Sequence, residues 1–156
     1  MSKIRIKNFG PIKEGYLEND GWIDIKKVTV FIGNQGSGKS TIAKLISTLS
    51  WMEKALTRGD FDKKAFEGKD VFRKFCGYHK IENYLEDINT KKQTEIEYIG
   101  NSFTINYRER RLKFKESHAV KYDLPQIMYI PADRNFLSTV DDLKSQRIFS
   151  PSLVEL

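Results

Sequence analysis

The stretch Val28-Thr29-Val30-Phe31-Ile32-Gly33-Asn34-Gln35-Gly36-Ser37-Gly38-Lys39-Ser40 decides how the rest of the chain is read. Val28 to Gly33 is a short apolar run with the β-branched content of a buried strand. Gly33 to Ser40 then fits the spacing G-x-x-x-x-G-K-[ST]. Behind it Ile42, Leu45, Ile46 and Leu49 recur at i, i+3, i+4 and i+7, which predicts an amphipathic helix running to about Leu56 and closed by Arg58-Gly59-Asp60. Glycine reaches positive φ at no steric cost, so the backbone of such a loop can wrap closely round a polyphosphate. Successive N–H groups, with the helix N-terminus behind them, make a concave anion site. The candidate nucleotide-binding set is Gly33, Asn34, Gln35, Gly36, Ser37, Gly38, Lys39 and Ser40. Lys39 brings a full positive charge toward the β- and γ-phosphates, and the Ser40 hydroxyl is placed to ligate Mg²⁺. Asn34 either donates toward the γ-phosphate or only stabilises the turn.

The chain has 156 residues, 39% hydrophobic and 31% charged, which suits one domain with a real core. No apolar run approaches the eighteen or so residues of a membrane span, and the N-terminus has no signal-peptide core. These features exclude membrane insertion and predict a cytoplasmic protein. The single cysteine, Cys76, leaves no internal disulfide framework and sits in the apolar pattern Val71, Phe72, Phe75, Cys76. A net charge of +6 favours polyanionic ligands, a nucleotide alone or a nucleic acid as well.

Lys3 to Phe9 alternates polar and apolar residues, predicting a half-buried strand that Gly10-Pro11 ends. A second short strand is expected through Tyr16 and Leu17, then an extended piece at Trp22, Ile23 and Ile25. The helical patterns between Phe61 and Asn89 are Val71, Phe72, Phe75, Cys76, with Asp70 as N-cap, and Ile81, Tyr84, Leu85, Ile88. Thr94 to Ile99, Gly100-Asn101 and Ser102 to Arg108 predict a β-hairpin, with Leu112 to Lys115 as a third strand. Gln126 to Ile130 reads as a buried parallel strand ending at Pro131, and Phe136 to Leu143 as a helix. The domain layout is one domain over 1–156, with a helical insertion at 58–92 and a β-hairpin subdomain at 94–115.

The order of these pieces resembles the head of ABC-type P-loop ATPases. A strand ending Ile6-Lys7-Asn8-Phe9, the loop IGNQGSGKST, an antiparallel hairpin and Tyr129-Ile130-Pro131-Ala132-Asp133-Arg134-Asn135 look most like the SMC/RecF-like and OLD-like group of AAA-type ATPases. The resemblance implies an α/β P-loop NTPase fold: an N-terminal ABC-ATPase-like lobe with a mixed parallel core sheet and an antiparallel β-subdomain. It implies ATP and Mg²⁺ as cofactors, a homodimer formed through ATP, and a link to DNA metabolism or phage defence. It also adds Thr41, which matches the family residue whose hydroxyl and N–H approach the α-phosphate. The chain departs from the family in having no signature motif and no Walker B strand ending Asp-Glu, and in having Ala132-Asp133-Arg134 where the family usually has a glutamine. Only the N-terminal lobe is therefore expected here, with hydrolysis needing a missing C-terminal lobe. Two other readings are a transporter-type nucleotide-binding subunit and a non-enzymatic nucleotide-regulated module. Against the first stand the missing aromatic platform and glutamine loop of transporter subunits.

Asp133 has two readings. It is a solvated loop carboxylate or helix N-cap, or it lies at the carboxyl end of a parallel strand beside the loop, holding Mg²⁺ through water or positioning the attacking water. Together with Lys39 it forms the candidate catalytic set. Arg134 pairs with phosphate or with Asp133. Arg108, Arg110, Arg111, Lys113 and Lys115 form a basic cluster that could track the backbone of DNA, and a solvated edge explains them as well. His79 and His118 have no partners at metal or triad spacing.

Overall fold

The computed structural model describes residues 2–85, 93–117 and 127. Alternation in the sequence becomes a five-stranded sheet: β1 (Ser2–Lys7), β2 (Trp22–Ile25), β3 (Glu95–Ile99), β4 (Phe103–Arg108) and β5 (Arg111–Glu116). The spatial order is β2-β1-β3-β4-β5, and every neighbouring pair is antiparallel. The hairpin strands thus continue the sheet begun by the N-terminal strands. Period-2 patterning sorts the two faces. Ile4, Ile6, Ile96, Tyr98, Ile105 and Leu112 point into the core, while Arg5, Glu97 and Lys113 point away from it.

One long helix covers the inner face. Helix α1 (Lys39–Arg58) buries Leu45, Leu49, Met52 and Ala55 against the sheet. Gly59 ends it at φ 76°, where a side chain would be strained, and the Asp60 N–H reaches back to the Ala55 carbonyl. Helices α2 (Lys63–Phe66) and α3 (Val71–Tyr78) add Phe66, Phe72 and Cys76 to the core, and a 3₁₀ turn follows at Glu82–Leu85. The Cys76 side chain is wholly buried, and burial pushes its thiol pKa well up.

Four expectations change. The mixed parallel core is not seen: the sheet of the described residues is antiparallel throughout. The predicted buried strand at Val28–Gly33 is an unpaired extended segment, with Val28, Val30 and Ile32 exposed by 77%, 73% and 93%. An apolar run of this kind becomes a buried strand only with neighbours on both sides, and the described residues supply none. Tyr16 and Leu17 form no strand; Tyr16 makes a single bridge to Gly21 around a 3₁₀ turn at Leu17–Asn19. Asp70 precedes α3 but does not cap it. Its φ is 63°, and its carboxylate takes the Arg110 Nε–H at 2.7 Å instead. The predicted strand at Gln126–Ile130 (Ile127 apart), Asp133, Arg134, His118, Ile88 and the helix at Phe136–Leu143 lie outside the described residues.

Candidate functional site

The glycine loop runs from the end of the exposed segment into α1. Gly36 and Gly38 sit at φ 78° and 92°, in the left-handed region where a Cβ is strained. Gly38 also packs so closely on the β1 turn that a Cβ there would meet Ile12 Cγ1 at 2.9 Å. The helix begins directly after Gly38, whose carbonyl accepts the Ile42 N–H at 2.9 Å. No side chain caps this end. The N–H groups of Lys39, Ser40 and Thr41 therefore point out of the helix with no intrahelical acceptor, at the positive end of the helix dipole.

Lys39 folds back across the loop. Its ammonium donates to the Gly33 carbonyl at 2.8 Å and the Asn34 carbonyl at 2.6 Å, with Ser37 Oγ at 3.4 Å. A trans peptide carries its N–H opposite its carbonyl, so turning these two carbonyls toward the ammonium turns the N–H groups of Asn34 and Gln35 the other way. The Ser37 N–H closes the turn onto the Asn34 carbonyl at 3.3 Å. Ser40 is exposed on the first turn, while Thr41 is 8% exposed. Lys39 thus draws Gly33, Asn34 and Ser37 together, Gly38 packs on the turn after β1, and Thr41 is buried.

A cleft of about 930 Å³ opens beside the loop. Asn8, Ile12 and Lys13 after β1, the extended segment Val28–Ile32, and Ser37 and Ile42 line it. Sequence reasoning took Pro11 only as a strand end and passed over Ile12. Their signal was the apolar pair placed directly after the strand-ending glycine.

The basic cluster divides. Arg110 sits in the tight β4–β5 turn, where Glu109 and Arg110 have φ 50° and 63°, and it is spent on Asp70. Arg108 lies 3.5 Å from Glu95. Arg111, Lys113 and Lys115 point outward from β5. Among the described residues no cluster of His, Cys, Asp or Glu has the grouping of a metal site. The His79 carbonyl accepts from Lys44 Nζ, and burial holds the His79 imidazole pKa below its usual value.

A glycine loop that ends on an uncapped helix, with a lysine crossing it, has the form of an anion-binding α/β site. The chain belongs to the AAA ATPase domain family, whose model matches residues 1–149. Membership implies nucleotide binding in an ATPase, with ATP and Mg²⁺ as its cofactors. Neither a search of curated proteins nor a search of solved structures found a match. No described helix is long and apolar enough to cross a membrane.

Proposed function

We propose that this chain is the ATP–Mg²⁺-binding module of an SMC/RecF/OLD-like ATPase, linked to DNA metabolism or phage defence. The observation that carries the reading is the loop itself: left-handed Gly36 and Gly38 run into an uncapped α1, with the Lys39 ammonium held over the turn. The glycine loop and the N–H groups of Lys39, Ser40 and Thr41 would hold the β- and γ-phosphates, with Lys39 supplying the positive charge beside them. Ser40, exposed on the first turn, is the Mg²⁺ ligand. ATP supplies the reactive phosphoanhydride; the loop binds and orients it.

Asp133 is proposed as the carboxylate that positions the attacking water or holds Mg²⁺ through water. Hydrolysis is proposed to depend on a second head closing over the same ATP. The chain alone should bind ATP–Mg²⁺ and turn it over slowly. Thermal denaturation with and without ATP–Mg²⁺, for the wild type and Lys39→Ala, tests the binding. Rapid turnover by the isolated chain, abolished by Lys39→Ala, would show that no second head is required.

A further inference from the structure

The sheet has a second face that the nucleotide reading does not use. Core residues take one side of all five strands, and the other side is polar. Register places Trp22, Arg5, Glu97, Asn106 and Lys113 in one line across the five strands. A parallel line runs through Asp24, Lys3, Ile99, Thr104 and Lys115. Lys7 extends β1 beyond Arg5, and Arg111 begins β5 on the same side as Lys113 and Lys115.

The charges on this face are unevenly matched. Arg5 is held by Glu97 at 2.6 Å, and Arg108 faces Glu95. Arg111, Lys113 and Lys115 form no ion pair among the described residues. They recur every second residue, about 7 Å apart along the strand, a separation of the order of the phosphate repeat in one nucleic-acid strand. Edge protection accounts for lysines on β5, since β5 ends the sheet. It does not account for Lys3, Arg5 and Lys7 on the interior strand β1, where register sets Asp24 beside Lys3, Glu97 beside Arg5 and Glu95 beside Lys7. The Trp22 ring organises this end: Lys3 Nζ lies 4.4 Å and the Arg5 guanidinium 4.8 Å from its centroid. Cations stacked on an indole are held on the face instead of dispersing into solvent.

We infer that the open face of the antiparallel sheet is a docking surface for a nucleic-acid strand, whose phosphates are followed by Arg111, Lys113 and Lys115 on β5 and by Lys3 and Lys7 on β1. The inference rests on the DNA-linked reading above and deepens it, moving the contact from the β4–β5 turn to the sheet face. Arg110 is left out of it, since Asp70 holds that side chain at the turn. Phosphate contacts of this kind are sequence-independent and salt-sensitive.

The test is fluorescence anisotropy of a labelled 20-nucleotide single strand and its duplex, titrated with the full chain across a salt series. Lys113→Glu with Lys115→Glu should weaken binding at least tenfold at low salt and lower the salt slope by about two. Lys64→Glu with Lys74→Glu, the same charge change on α2 and α3, should stay within about twofold of the wild type. Equal losses in both double variants, or none in either, would overturn the assignment. Binding to phosphatidylserine vesicles with no binding to either oligonucleotide would overturn it too, in favour of a membrane surface. ATP–Mg²⁺ stabilisation is read on the same samples. Its presence without oligonucleotide binding removes this inference alone, and its absence removes the nucleotide reading.

Discussion

The Glu53 carboxylate, on the helix that begins at the glycine loop, accepts the backbone N–H of Ser102 at 2.6 Å, in the turn between β3 and β4. The same oxygen takes the Phe103 N–H at 3.1 Å, and the other takes the Tyr98 hydroxyl at 3.1 Å. Glu53 is 1% exposed, so this carboxylate is held by donors in place of water. It joins the far half of α1 to the hairpin, making the loop, helix and sheet one mechanical unit. Glu53→Ala should therefore lower stability by about 3 kcal/mol, because it leaves two backbone donors without their acceptor. Denaturant unfolding of the purified variant measures this, and a loss below about 1 kcal/mol would contradict it.

Gly100 belongs to the same clamp. A Cβ at this position would overlap the Glu53 carboxylate, so the turn approaches the helix only because glycine stands there. Gly100→Ala should cost about 2 kcal/mol. In the double variant with Glu53→Ala the added cost of the alanine should largely vanish, since the overlapping group is gone. A denaturation cycle over the four proteins reads the coupling directly.

Tyr98 gives the clamp an alkaline limit. Burial, and then the neighbouring Glu53 carboxylate, push its phenol pKa up to about 12 from 10.0. The folded pKa is the higher one, so its stabilisation is complete below pH 10 and is lost as pH rises toward 12. The loss should approach 2–3 kcal/mol, on the order of two pKa units. Tyr98→Phe should show a flatter stability profile over that interval. Parallel profiles for the two proteins would contradict the assignment.

Asp70 and Arg110 should behave oppositely. The guanidinium bonded to Asp70 lowers its carboxyl pKa below the ordinary 3.8. A depressed folded pKa contributes stability above the unfolded value and loses it as pH falls through the folded one. Asp70→Asn should therefore lower the melting temperature at pH 7, and the difference should shrink below about pH 4. A difference that stays constant with pH would show that the pair contributes no charge-dependent stability.

The two left-handed loop glycines should separate conformational from packing cost. Gly36 has nothing near the position of a Cβ, so Gly36→Ala carries only backbone strain, about 1 kcal/mol. Gly38→Ala adds a collision with Ile12 and should destabilise more. Thermal melts of the two variants decide it, and equal melting temperatures would argue against the close approach of loop and β1 turn.

The sequence made α1 legible because its apolar residues keep a 3.6 period from Ile42 onward and Gly59 stops it. The strands β1, β3 and β4 were legible from strict alternation, which only one sheet face can satisfy. Val28–Ile32 was not, since an apolar run states a preference for burial and says nothing of which neighbours deliver it. Glu53 was missed although it continues the Leu45, Leu49 spacing onto the buried stripe, where a carboxylate signals a buried partner. Asp70 was misread because a side chain at a helix start can serve a distant arginine as readily as its own backbone, and that arginine is forty residues away. The loop was the easiest part to read, since its glycine spacing is a direct statement about backbone shape.

Calorimetric titration of the chain with ATP–Mg²⁺, set beside Lys39→Ala, tests the central claim most directly. The account predicts saturable one-site binding by the wild type and at least a tenfold weaker interaction for the variant. Equal heats from both proteins, or none from the wild type, would contradict it.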